Sequence, residues 1–188
     1  MEKFFITNPN LGVLWMTLWN ELVRIKEKIP DEKGDDFKRT YIRTMFSFIE
    51  AISFQIRQVL LLREKKNEIQ LSFKDVYILS EKSYDLNERG TINEREKSYP
   101  FTRMLKYTFR LYSKIYQKEH VYDQYFSKNG YSKLLDLYKI RNSLTHPKKY
   151  SDLSDFNMES AYEVLIWYKD LCSHILYNDL VHDELEGF

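Results

Sequence analysis

The segment DDFKRTYIRTMFSFIEAISFQIRQVLLLREKK, residues 35–66, decides the fold. Within it Ile42, Met45, Ile49, Ile52, Ile56 and Val59 recur at intervals of three and four, which gathers apolar side chains on one face of an α-helix. Asp35 and Asp36 suit the positive end of a helix dipole, so the pattern predicts one long helix from there to about Lys66. Composition agrees. The 188 residues include only 5 glycines and 4 prolines, too few turn residues for a sandwich or barrel that needs a tight turn every few residues. Apolar residues make up 43%, enough for one core and too many for a disordered chain. The expectation is an all-α protein: a single-domain helical bundle of about five to six helices spanning residues 1–188.

Working outward, Asn10 can cap a helix from about Leu11 to Ile29, stopped by Pro30 and the cluster from Asp31 to Gly34. Ser72 can cap a shorter helix to about Lys82. Residues 83–99, rich in Asn, Ser and charge, read as a mobile loop. Pro100 fits the first turn of a helix to about Glu119, and a linker runs from there through Asn129-Gly130. A further helix from about Tyr131 ends at His146-Pro147, because the residue before proline is disfavoured in the helical region. A last one begins between Ser154 and Asn157 and continues to about Leu180, leaving an acidic tail at 181–188.

The formal charge of +1, from 29 basic and 28 acidic residues, excludes a uniformly basic nucleic-acid coat. Its distribution is uneven. Residues 100–150 carry eleven Lys and Arg against three acids, whereas residues 151–188 carry one Lys against nine acids. In the helix after Pro100, Arg103, Lys106, Arg110 and Lys114 recur every three or four residues, with no acid from Pro100 through Lys118. That makes a continuous positive stripe. The other face, with Phe101, Leu105, Phe109, Tyr112 and Tyr116, should enter the core. The acidic last helix and tail could shield this stripe in cis.

A single cysteine, Cys172, cannot close an intrachain disulfide; it sits where a small buried side chain is expected, and the compartment implied is the reducing cytosol. The apolar run from Leu11 to Trp19 is too short to span a bilayer and lacks a cleavage-like end, so neither signal peptide nor membrane span is expected.

Function is carried by LLDLYKIRNSLTHP, residues 134–147. Leu134, Leu137, Tyr138 and Leu144 share one arc of the helix, and Arg141 falls in the middle of it. A guanidinium there needs a carboxylate, a carbonyl or an anion at an interface. Asn142 and His146 are four apart, so the amide can hold one imidazole nitrogen and leave the other free. Glu50 can pair with Arg141 or orient His146; the competing arrangement puts Ser47, Glu50 and Arg57 on an exposed stripe. Taken alone, these residues also suit a capped helix end with a structural ion pair. His120 reads as a turn residue, His174 as lying in or near the core of the last helix, and His182 as tail; no spacing suggests a metal, and no cofactor is implied.

The arrangement Arg141-Asn142-x-x-x-His146, late in an all-helical chain and followed by another long helix, resembles the signature of the HEPN superfamily of helical ribonucleases and nucleotide-associated proteins. The resemblance covers the motif closely and the helix order loosely. It implies that Arg141, Asn142 and His146 are the catalytic residues of a metal-independent endoribonuclease. It further implies a homodimer in which two motifs face one another, acting on single-stranded or looped RNA, as in toxins and defence effectors restrained by a cognate antitoxin or regulatory protein. Arg103, Lys106, Arg110 and Lys114, with Lys148 and Lys149 just after the motif, would touch RNA phosphates. The alternative is a non-catalytic HEPN-like module that binds RNA or protein. A subgroup whose toxins are modified on a tyrosine two residues after the histidine fits less well, because Lys148 stands there.

Overall fold

The computed structural model describes residues 9–28, 35–86, 88–145, 153 and 156–176. Among them are seven helices, α1 Pro9–Lys28, α2 Asp35–Lys65, α3 Phe73–Leu79, α4 Phe101–Ile115, α5 Glu119–Phe126, α6 Asn129–Thr145 and α7 Met158–Leu176. One antiparallel hairpin, β1 Lys82–Leu86 and β2 Ile92–Glu96, sits between α3 and α4. The protein is an all-α helical bundle.

The long helix α2 is its axle. Ile42, Met45, Phe46, Phe48, Ile49, Ile52, Ile56 and Leu60 are fully buried along it. Because the buried face is wider than a single stripe, α2 is wrapped by several helices at once. Trp15 of α1 meets Phe48 edge-on at 4.8 Å, and Phe46 touches Phe101 of α4 at 6.2 Å and Tyr138 of α6 at 5.7 Å. On the α7 side, the Ser53 hydroxyl donates to the Ile49 carbonyl at 2.6 Å and lies 2.9 Å from the Tyr168 hydroxyl. A polar network thus crosses the buried α2–α7 seam with its partners supplied. By length and composition α2 could also cross a bilayer, yet its apolar face is occupied by these neighbours.

Helix ends follow the local chemistry. Ser72 caps α3 through a reciprocal capping box with Asp75, and the Asn157 side chain accepts from the amides of Glu159 and Ser160 at the start of α7. Helix α1 begins at Pro9 rather than after Asn10; a proline is suited to that first position because it has no N–H to lose. Gly130, at the start of α6, permits a close approach: a Cβ there would lie 2.3 Å from the Trp167 ring of α7.

Two segments differ from the sequence expectation. The stretch after Glu119, expected as a linker, contains α5, whose Tyr122 and Tyr125 are buried against the bundle. Residues 83–99, expected as a mobile loop, form most of the hairpin. Strand β2 lacks apolar–polar alternation, the usual sequence sign of a strand, because it is exposed along its whole length. Charge pairing across the strands takes that role: Lys82 with Glu94, and Arg95 with Asp85 at 3.1 Å, while Gly90 adopts φ +72° in the connection. Cys172 is buried, and burial pushes its thiol pKa up.

Candidate functional site

Helix α6 anchors itself through Leu134, Leu137 and Leu144, all buried, and this orientation brings Arg141 toward α2. There Glu50 meets it: Arg141 Nη2 lies 3.2 Å from Glu50 Oε1 and 3.5 Å from Oε2. Nη1 donates to Asn142 Oδ1 at 3.2 Å, and the guanidinium carbon stands 5.9 Å from the centre of the Tyr138 ring. The apolar arc thus places Arg141 beside a carboxylate, and Glu50 takes the Arg141-pairing role. The alternative exposed stripe breaks up: Ser47 is exposed, Glu50 is half-buried, and Arg57 is buried in an ion pair with Glu81 at 3.0 Å.

The electrostatics of the pair are mixed. Burial raises the Glu50 pKa above the ordinary carboxylate value, and the Arg141 charge opposes that rise without cancelling it. The side chains of Arg141 and Glu50 remain 27% and 34% exposed, so an anion from solvent can reach the guanidinium. With five donors on a planar fork, arginine can keep a carboxylate and still address a phosphoryl group.

Helix α4 starts next to this pair. Phe101 packs on Tyr138 at 5.7 Å, one turn from Arg141, and also lines a groove shared with Glu50. From that end the helix presents Arg103, Lys106, Arg110 and Lys114 to solvent, all exposed, while Leu105, Phe109 and Tyr112 are buried behind them. The stripe extends about 16 Å along the axis at 1.5 Å per residue. Lys106 lies 5.3 Å from the centre of the Tyr131 ring, and the Tyr131 hydroxyl donates to the Thr102 carbonyl at 3.2 Å, fixing α4 against α6. The helix that carries the basic track therefore begins beside the helix that carries the arginine.

His146, Lys148 and Lys149, like the tail at 181–188 and His182, lie outside the described residues. Asn142 is half-buried and its amide oxygen is engaged by Arg141. Of the other histidines, His120 occupies the first turn of α5 rather than a loop turn. His174 is exposed rather than core, because it sits at the rim of α7, with Nδ1 2.8 Å from the Tyr125 hydroxyl. Among the described residues no three His, Cys, Asp or Glu side chains converge as metal ligands. The sequence reading did not single out Phe54, Tyr99 or Glu81, which line the groove with Glu50 but come from three separate segments. Comparison with protein-family models, curated proteins and solved structures finds no match for the chain.

Proposed function

We propose that the protein is a metal-independent endoribonuclease of HEPN type, a toxin or defence effector of the cytosol that works as a homodimer. The observation that supports this most is the half-exposed Arg141, held by Glu50 beside the start of a helix whose outer face carries four cations and no acid. RNA phosphates would lie along Arg103, Lys106, Arg110 and Lys114, with Lys148 and Lys149 touching flanking phosphates, and the scissile phosphate would sit at Arg141. A ribose 2′-hydroxyl attacks the adjacent phosphorus as the P–O5′ bond breaks. One His146 takes the 2′ proton, and the partner subunit's His146 delivers a proton to the leaving 5′ oxygen. Arg141 offsets charge gathering on the non-bridging oxygens. The products are a 2′,3′-cyclic phosphate and a 5′-hydroxyl, and no metal enters the balance.

Glu50 and Asn142 act here as positioning groups. They hold the guanidinium fork in one orientation, so little of its rotamer freedom remains to be lost when a phosphate arrives. The test is purified protein with labelled single-stranded RNA in EDTA. Cleavage to cyclic-phosphate ends, abolished by His146→Ala, is the expected result; intact RNA, or equal cleavage by that variant, refutes it. RNA retained by His146→Ala without cleavage by either protein would instead support a non-catalytic binding module, a reading favoured by the Glu50 carboxylate already paired with Arg141.

A further inference from the structure

Between α2 and the entry to α4 runs an open groove of about 530 Å3, within the range of small-ligand sites. Glu50 of the Arg141 pair stands at one end. At the other, two helical turns along α2 and about 10 Å away, Arg57 pairs with Glu81. Between them Phe54 projects with 44% of its surface exposed, and Tyr99 is half-buried in the opposite wall. What sets Phe54 apart from the other exposed apolar side chains is its place inside the groove, with the Arg57 guanidinium beside its ring.

The far end of the groove is built at a cost. Glu81 holds φ +53°, a left-handed conformation in which a non-glycine residue is strained by about 1–2 kcal/mol. It lies just past the C-terminus of α3, where glycine is the usual solution. A glutamate there brings a carboxylate to the buried Arg57 guanidinium, which in turn lies 5.2 Å from the centre of the Phe54 ring. The ring is thereby backed by a fixed cation and a fixed acid. Within the groove the Arg57 charge is offset by Glu81 and the remaining lining is aromatic, amide and apolar, so the stretch beside Phe54 suits an uncharged, flat, polar-edged group. An unstacked nucleobase has that character: a π-face for Phe54 and Tyr99, and a hydrogen-bonding edge for Gln55 and the Arg57–Glu81 pair.

We infer that this groove seats one unstacked base of a single-stranded RNA, next to the nucleotide whose phosphate lies at Arg141. The inference rests on the ribonuclease reading for the placement of that phosphate. It makes single-strandedness a requirement of binding, because a base held in a duplex cannot present its face to Phe54.

The test uses a fluorescein-labelled ten-nucleotide RNA with 2′-O-methyl riboses, which cannot be cleaved, and measures anisotropy with the full chain. Phe54→Ala should weaken binding about ten-fold, and Phe54→Trp should preserve it, because base stacking on an aromatic ring is worth roughly that factor or more. The same sequence as a duplex should bind at least ten-fold more weakly than the single strand. Phe54 is solvent-exposed, so its replacement leaves the core intact; a circular-dichroism melt coincident with wild type checks this. Equal binding by Phe54→Ala, equal binding of the duplex, or no binding by wild type overturns the inference. Cleavage of unmodified RNA is scored separately. Cleavage with Phe54→Ala indistinguishable from wild type removes the groove and leaves the nuclease, whereas Phe54-dependent binding without cleavage removes the nuclease and leaves a base-binding groove.

Discussion

Replacing Glu50 with Gln keeps the shape of the side chain and removes its charge, and Arg141→Met keeps most of the arginine stem while removing the guanidinium. At 3.2 Å the Coulomb attraction of the pair is about 1.3 kcal/mol with the dielectric of water and about 5 kcal/mol at an effective dielectric of 20. Roughly a third of each side chain is in solvent, which places the pair toward the lower figure; the desolvation of Glu50, which outweighs the attraction, is largely common to both arms of a double-mutant cycle. A double-mutant cycle in urea at pH 7 is therefore expected to give a coupling of about 1 kcal/mol. The pH dependence supplies a second readout. Because the folded-state pKa of Glu50 is raised above its ordinary 4.5, the native chain binds more protons than the unfolded one just above that value. The Glu50 contribution to stability must then fall as pH rises through the window from 4.5 to the folded pKa, and Glu50→Gln must flatten that slope. In Arg141→Met the carboxyl loses its cation, so its pKa, followed by carbon-detected NMR, must rise further. A coupling below about 0.3 kcal/mol, within the range of plain additivity, or a fall of that pKa, would refute the pairing as the feature that orients Arg141.

Three further substitutions probe the frame around the site. Gly130→Ala should lower stability by about 1–2 kcal/mol despite alanine's higher helix propensity, because the new Cβ meets the Trp167 ring at 2.3 Å; an unchanged or higher melting temperature contradicts the close approach. Gln117, with φ +55° at the end of α4, should accept glycine with a gain of about 1 kcal/mol in urea denaturation, and a loss would show that its side chain does more than fill a turn. The Thr108 hydroxyl is buried and has no partner among the described residues, so Thr108→Val should be neutral or stabilising by up to about 1 kcal/mol; a marked loss would reveal a partner for the hydroxyl.

Much of the helical frame can be read from residue order because each signal is local. The three-and-four spacing in residues 35–66 marks α2, Ser72 and Asp75 mark the start of α3, and the four cations after Pro100 mark the exposed face of α4. Helix α5 carries no such signal, because at eight residues it is too short for a period to establish itself. The hairpin is not legible because β2 is exposed throughout and so has no buried face to impose alternation.

Sequence by itself determined that the chain is helical, that a basic stripe lies on one face of one helix, and that Arg141 needs a partner within an apolar arc. Only the tertiary structure decided that Glu50, 91 residues away, supplies that partner, that α4 begins beside it, and that Phe54, Tyr99 and the Arg57–Glu81 pair share one groove. Helical periodicity reports which side of an element is apolar. It says nothing of which elements meet, because that choice is made by packing the arcs of several helices around α2 all at once.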